Sequence, residues 1–571
     1  MKLVIAEKPS VAITIAKVIG ANKRNDGYYE GNGYKVSWCV GHLVQMASPE
    51  AYDEKYAKWN LKDLPIIPDD FKYEVAKNTK KQFGILKKLM ADKEVKTIVN
   101  ACDAGREGEL IFRLVYNKAN CRKEIKRLWI SSMEDKAIKD GMSALKDGEV
   151  YDNLYESASA RMIADWLVGM NLSRLYSCLY KQNYSVGRVQ TPTLSMIATR
   201  DETIKNFKKE KYFTVDIDCG GFVLSTERID DENVANSILK RLGDNISVDE
   251  VIKKEKITKP DRLFDLTSLQ RAANRYYGFS AKQTLDYAQS LYEKKLITYP
   301  RTDSRFLTGD MKESVNELID GIDKSLYKNE ANFECMFDDK GVSDHHAIIP
   351  TPLSLNEDIS KLNASEAKIF SLIKAWLLMA SADNLVESTT KLVCKDGDTL
   401  FSVNGKSVVK EGFYGILKGF IKKENKEVIL PDLEKGDVLS IKSKEVKEKY
   451  TTPPKHYTEE SLLKAMELAG TDEIEKGVEV ERKGLGTPAT RAGIIENLIY
   501  KGYIERDKKN LLVTHKGLAL VTVVSDSFKS AKTTAEWEMK LSDIASGKLK
   551  KEFFLKSIED EIKSLIKAYQ K

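Results

Sequence analysis

Twice before residue 120 the chain sets an apolar strand, a short polar loop and a helical pattern end to end. KLVIA (residues 2–6) stops at Glu7, and a helix through Ile19 is expected next, with Ser10 as its cap. VKTIVNAC (95–102) reads as a buried strand, DAGREGE as the loop, and LIFRLVYNKA as an apolar-periodic helix. This repeated unit predicts an α/β domain with a largely parallel sheet over residues 1–150. In such sheets functional groups collect beyond the carboxyl ends of the strands, where Glu7, Asp103 and Glu107 fall.

With 571 residues the chain exceeds what one core can hold, and about three to five domains are expected. Residues 151–205 carry a helical pattern. In YFTVDIDC, Phe213, Val215 and Ile217 alternate with Thr214, Asp216 and Asp218, as in a half-buried strand. Residues 390–450 are again β-rich, with hairpins expected at CKDGDTL and VNGKSV. A β-rich domain of residues 206–265 and 390–450, split by a helical domain over 266–389, is the economical division. Residues 151–205 and 451–571 then form a further helical unit. Within it, KGLGTPATRAGIIENLIYKGYIERDKKNLLVTHKG predicts a helix and then a β-hairpin, like a winged helix. Thr487 caps this helix, Pro488 occupies its first turn and Gly502 stops it. Residues 551–570 have the pattern of a charged amphipathic helix. The fold class is α/β plus α and β.

No apolar run approaches the roughly 20 residues of a membrane span. MKLVIAEKPS breaks its apolar run at Glu7, unlike a signal peptide. The seven cysteines include no Cys-x-x-Cys pair, which argues against zinc ribbons and disulfide scaffolds and fits a reducing cytoplasm. A net charge of +6 does not announce a nucleic-acid partner, yet no Asp or Glu occurs from Trp166 to Arg200. There Arg174, Lys181 and Arg188 interleave with Tyr176, Tyr180 and Tyr184. Cations among aromatics suit a single-strand groove. Tyrosines spaced by four equally suit a helix facing a core, and both readings stand.

LITYPRTDSRFL (296–307) places Tyr299 before a proline, which disfavours helix and predicts extended backbone. Side chains two apart then share a face, putting Arg301 beside Tyr299. Tyr299 is either a ring that closes a turn or a hydroxyl activated by a neighbouring cation. Glu7, Asp103 and Glu107 offer hard oxygen ligands that suit Mg2+, with Lys8 ready to neutralise a phosphate. They equally suit the acid-favouring start of a helix, with Gly105 as a turn residue. No G-x-x-x-x-G-K-[ST] loop is present, so no nucleotide is expected.

Six stretches taken in order are far more specific than any one: VIAEKPSVA, DAGREGEL, SVGRVQTPTL, LITYPRTDSRFL, DHHAIIPT and GLGTPATRAGII. Together they resemble the type IA DNA topoisomerases, most nearly the bacterial topoisomerase III branch, over almost the whole chain. The resemblance implies a multidomain toroid with an N-terminal toprim domain, a split β-rich domain, a helical tyrosine domain and a winged-helix-like domain. It implies that Tyr299 attacks one DNA strand to give a 5′-phosphotyrosine, and that another strand passes before resealing. The consequence is relaxation of negative supercoils, decatenation, or both, without ATP. Arg301 would stabilise the phenolate and the scissile phosphate. Glu7 would pass a proton to the leaving 3′-oxygen, while Lys8 and a Mg2+ on Glu7, Asp103 and Glu107 fix phosphates. His345 and His346 carry over as active-site neighbours. The resemblance places Trp59, Arg161, Asp165, Arg174, Ser185, Val186, Gly187, Arg188, Val189, Gln190 and Thr191 along the single-strand path, with Arg301 at its reactive end. It implies single-stranded and negatively supercoiled DNA as substrates, a monomer, no membrane, a cytoplasmic location, and a helicase or single-strand-binding protein as the kind of assisting partner.

Two departures stand out. Many relatives carry Asp-x-Asp-x-Glu, whereas this chain has Asp103, Gly105 and Glu107, one carboxylate fewer. Many also end in zinc ribbons or a long basic tail, and this one does not, so no zinc is expected and DNA binding is expected to rest mainly on the toroid. Rival chemistries lack their residues. A tyrosine recombinase needs His-x-x-Arg, and none of the five histidines has it; a His-hydrophobe-His relaxase fails because His345 and His346 are adjacent. A passive single-strand-binding clamp with an inactive toprim domain predicts a broken Tyr299–Arg301 or Glu7–Asp103 set. Both are intact.

Overall fold

Lys2–Ala6 lies at the centre of a seven-stranded sheet, paired in parallel with Tyr34–Trp38 on one side and Thr97–Ala101 on the other. Leu3, Val4, Ile5 and Ala6 are fully buried, as a strand covered on both faces requires. Glu124–Arg127 continues the parallel run, and antiparallel strands close both edges. In this computed structural model, residues 1–130, 133, 135–342, 345–421, 428–470 and 484–570 are described. The helix after the first strand is Pro9–Ile19, and its N-cap is Lys8, without a side-chain cap, rather than Ser10. Proline explains the earlier start, because its fixed φ and missing N–H suit the first helical position.

The 29-residue helix Asp152–Tyr180 packs on Arg106–Lys118 from the first sheet unit, and on Ala531–Ala545 and Lys551–Tyr569 near the C-terminus. After a loop, Gln190–Lys205 leads to a second seven-stranded sheet. Its strands come from both sides of the intervening helices: Lys211–Asp218, Val223–Ser225 and Asn245–Thr258 interleave with Leu385–Asp396, Thr399–Lys410, Val438–Ser440 and Ser443–Tyr450.

Two local expectations fail in this sheet. VNGKSV forms no turn; it lies inside Thr399–Lys410, where Gly405 pairs with Thr390. The 12-residue partner strand carries the ladder straight through, and a Cβ on Gly405 would meet Leu430 at 2.6 Å. The turn falls at Gly397 (φ 57°), within CKDGDTL. Thr214 and Asp216 are not on a solvent face either. They are buried beside the paired strand Ser443–Tyr450, with Asp216 accepting from Thr214 (2.9 Å) and paired with Lys447 (3.1 Å).

Between the two halves of that sheet, Leu266–Tyr277, Ala281–Glu293 and Ala364–Ser381 enclose a core in which Phe264 stacks on Trp376 at 4.5 Å. Toward the C-terminus, Pro488–Tyr500 is capped by Thr487 and followed by Gly502 (φ 71°) and the hairpin Ile504–Asp507/Asn510–Val513. Among the described residues no helix is long and apolar enough to cross a membrane.

Candidate active site and nucleic-acid cleft

Residues 299–304 form an irregular strap, bent at Pro300, along which burial alternates. Pro300, Thr302 and Ser304 are buried, while half-buried Tyr299 and exposed Arg301 and Asp303 share the other face. The strap is tied on both sides. The Thr298 N–H donates to the Ile349 carbonyl (2.9 Å), and the Leu266 N–H to the Thr302 carbonyl (3.1 Å). Thr302 Oγ1 donates to the His345 carbonyl (2.7 Å). These bonds hold the Tyr299 ring 5.2 Å from Tyr292 and 4.5 Å from His345, centroid to centroid.

Opposite the strap stand the carboxyl ends of Lys2–Ala6 and Thr97–Ala101. The Lys8 ammonium donates to the Tyr299 hydroxyl, and lies 3.3 Å from Asp103 Oδ2 and 3.5 Å from Glu7 Oε1. His345 Nε2 is 3.6 Å from the same Asp103 oxygen, and the Asp103 N–H donates to Glu7 Oε2 (3.4 Å). Burial alone would lower the ammonium, but Asp103, Tyr299 and Glu7 hold Lys8 above its ordinary value. The two carboxylates are pushed apart. Burial and the neighbouring Asp103 charge raise Glu7. Burial acts upward on Asp103 too, yet His345 and Lys8 bring it below the usual carboxylate range. Burial raises the Tyr299 phenol, and Lys8 opposes that rise more than Arg301 does. Lys8, then, is the cation on the phenol; Arg301 stands exposed beside it. His346 is set back, with Nδ1 2.9 Å from the Ala347 carbonyl oxygen, and burial lowers its pKa toward the neutral form. Asp344 of the DHHAIIPT motif lies outside the described residues.

Two supports of Asp103 went unread in the sequence. A Cβ on Gly108 would lie 2.1 Å from the Asp103 carbonyl oxygen, so only glycine lets Arg106–Lys118 start this close to the loop. Arg127, 1% exposed, donates to the carbonyls of Asn100, Cys102 and Asp103 (3.1, 2.7 and 2.7 Å) and lies 3.2 Å from Glu109. Arg127 ends the mostly charged strand EIKR, so nothing local marked it as the buried cation among its neighbours.

Glu107 does not join Glu7 and Asp103. In the first helical turn it faces the long helix instead, where Arg161 Nη2 donates to it (2.6 Å) and His42 Nε2 lies 2.8 Å away. Among the described residues no three His, Cys, Asp or Glu side chains form a group that could hold a metal ion. What does fit is smaller. Glu7 and Asp103 converge on one cationic position, filled by the Lys8 ammonium, and two carboxylates completed by waters suit Mg2+.

A cleft of about 340 Å³ is lined by Arg161, Asp165, Val186, Gly187, Arg188, Val189 and Gln190, with Gly486 and Thr487 opposite. A second, of about 510 Å³, shares Gly169 with it and is lined by Trp59, Ser185, Tyr500, Lys501 and Lys516. Trp59 is 47% exposed, with the Arg174 guanidinium 5.3 Å from its ring centroid. Thr191 is buried and accepts from the Gly187 N–H (3.0 Å), which shapes the loop.

The acid-free window is less of a phosphate track than expected. Tyr176 and Tyr184 are core residues, Tyr180 is exposed, and Arg174 is 4% exposed. Arg188 is buried between Asp165 (2.8 Å) and Glu538 (3.0 Å). Of its two acids, Asp165 falls just before the window, and Glu538 lies 350 residues away in sequence. Tyr500, Lys501 and Lys516, contributed by the helix–hairpin unit, were not singled out by sequence.

Residues 2–133 match the Toprim domain family, and residues 149–556 match a DNA topoisomerase family. DNA topoisomerase 3 of Bacillus licheniformis is 42% identical over 594 residues, covering 99% of this chain and 81% of that protein. DNA topoisomerase 3 of Bacillus subtilis is 41% identical over 586 residues, covering 98% and 80%. Full-length topoisomerase I from Thermotoga maritima superposes with a TM-score of 0.75 at 25% identity, covering 99% of this chain and 90% of that one. That likeness fits a multidomain toroid.

Proposed function

The chain belongs to the type IA DNA topoisomerases, of the topoisomerase III-like kind, and from that premise we propose that Tyr299 is the nucleophile that opens one DNA strand. The observation that carries this reading is the Lys8 hydrogen bond to the Tyr299 hydroxyl, made by an ammonium that also contacts Glu7 and Asp103. In the reaction the phenol gives up its proton to solvent, its oxygen bonds to phosphorus, and the bond from phosphorus to the 3′-oxygen breaks, that oxygen taking a proton. The product is a 5′-phosphotyrosine and a free 3′-hydroxyl. One phosphodiester replaces another, so no nucleotide is consumed, and reversal reseals the strand after passage.

The side chains divide the work by charge. Lys8 stabilises the developing phenolate, and exposed Arg301 meets the phosphate oxygens with its planar fork. Glu7, raised above the ordinary carboxylate range, is suited to carry a proton to the leaving 3′-oxygen, while Asp103 remains ionised. His345 packs on the Tyr299 ring and steadies Asp103. Glu7 and Asp103 would hold Mg2+, which supplies charge neutralisation at the phosphate and alignment for resealing. The two clefts would take single-stranded DNA, with Trp59 and Tyr500 available for stacking and Arg161, Lys501 and Lys516 for phosphates. A passive clamp has no use for a phenol held against an ammonium and two carboxylates. Incubation with negatively supercoiled and linked DNA circles, with and without Mg2+ and without ATP, tests the proposal. Relaxation or unlinking is expected with Mg2+, and loss of both in Tyr299→Phe.

A further inference from the structure

We propose that Arg161 couples the DNA cleft to the acidic centre: in the DNA-free enzyme it withholds Glu107, and a phosphate entering the cleft releases Glu107 to join Glu7 and Asp103 around a divalent cation. The inference rests on the metal reading above and adds a mechanism by which substrate loads the metal.

Three observations carry it. Arg161 belongs to two places at once, since it lines the 340 Å³ cleft and its Nη2 lies 2.6 Å from a Glu107 oxygen. Glu107 lies in the first turn of Arg106–Lys118, just after the Asp103 loop, and His42 contacts it as well, at 2.8 Å. Between Asp103 and the first turn of the helix the loop carries no other carboxylate, so it has only Glu107 to add. A guanidinium fork fits a carboxylate and a phosphate by the same geometry, and it cannot fully serve both. Phosphate binding and metal binding are then linked, and the linkage is reciprocal: DNA tightens metal binding by the factor by which metal tightens DNA binding. Cations would be recruited mainly where a strand is in place to be cut or resealed.

Mn2+ binding to the full-length, metal-free enzyme, read by electron paramagnetic resonance, tests this without reference to turnover. Tyr299→Phe is the background, so that an added single-stranded oligonucleotide is bound and not cut. The oligonucleotide should tighten Mn2+ binding about tenfold, the scale of gaining or losing one well-placed partner at a metal site. Arg161→Ala should show a similar gain with no DNA present, and Glu107→Gln added to it should cancel that gain. The oligonucleotide should also lose most of its effect in Glu107→Gln alone, an arm that needs no change at Arg161. If the Arg161→Ala gain survives Glu107→Gln, simple removal of positive charge explains it and the coupling is overturned. The same holds if the oligonucleotide tightens Mn2+ equally in Glu107→Gln, because the phosphate then acts alone. No Mn2+ binding by any of these proteins, DNA included, removes the metal reading itself and the coupling with it.

Discussion

The Lys8 ammonium and the Tyr299 hydroxyl, 291 residues apart in the chain, are hydrogen-bonded across the seam between the parallel sheet and the tyrosine-bearing helices. That bond joins the nucleophile to the acidic centre. It also predicts how cleavage responds to pH. Burial raises the Tyr299 phenol above its ordinary value, and Lys8 is the largest influence holding it down. Lys8→Met should therefore move the rise of single-turnover cleavage to higher pH and slow it by about 10²–10³-fold near neutrality, as for loss of one preorganised donor. Covalent-adduct formation measured across pH checks this. An unchanged profile would mean the bond does not serve the phenol.

Arg188→Ala should act first on stability. Its side chain is 8% exposed between Asp165 and Glu538, and removal leaves buried Glu538 with fewer partners. Breaking such a pair costs about 3 kcal/mol, reduced here because Arg106 also reaches Glu538 (3.2 Å). Urea unfolding should show the loss. The salt dependence of single-strand binding should shift by less than the roughly 0.7 in log–log slope of one lost phosphate contact. A lower slope at unchanged stability would make Arg188 a phosphate contact instead.

Gly105 and Gly108 should behave in opposite ways. Gly105 has extended backbone (φ −178°) that any residue adopts, whereas a Cβ on Gly108 collides with the Asp103 carbonyl. Gly105→Asp meets no backbone bar, although the position is buried, and should raise apparent Mg2+ affinity by adding a carboxylate beside Asp103. Gly108→Ala should displace Asp103 and cut relaxation by about tenfold or more, on the scale of misplacing a metal ligand's support. Mg2+ titrations of relaxation distinguish them; equal tolerance at both positions would count against the tight loop.

Glu459 holds the tyrosine-bearing helices to the helix–hairpin unit. Its carboxylate, 3% exposed as a residue, accepts the Ala281 N–H (2.6 Å) and pairs with Arg506 (2.7 Å), beside the Arg275–Glu460 pair. Glu459→Ala leaves the helix start of Ala281–Glu293 without its acceptor, at a cost of about 1–3 kcal/mol. Hydrogen exchange should speed up in residues 281–293 while the Lys2–Ala6 sheet stays protected. Unchanged exchange would show that the seam is held elsewhere.

What sequence could show of this site was what is local. Pro300 keeps Tyr299 out of a helix, and alternating burial leaves Tyr299 and Arg301 on the less buried side of a strap that bends at Pro300. Glu7 and Asp103 were placed together because parallel strands bring their ends to one edge. Pairings made by the tertiary fold were out of reach: Lys8 with Tyr299, Glu107 with Arg161 and His42, Arg188 with Glu538. Local signals also lost to longer-range forces. VNGKSV has turn residues, but a 12-residue neighbouring strand keeps it extended, and the tyrosines at 176 and 184 serve the core around a long helix.

Whether Tyr299 is the nucleophile is decided by the identity of the residue that becomes joined to DNA. The enzyme is incubated with single-stranded DNA, stopped with denaturant, digested, and the DNA-linked peptide is sequenced by mass spectrometry. An adduct is expected at Tyr299 through a 5′-phosphate, and none in Tyr299→Phe, whose single-strand affinity stays close to that of the parent. An adduct at another residue, or one that persists in Tyr299→Phe, would contradict that assignment.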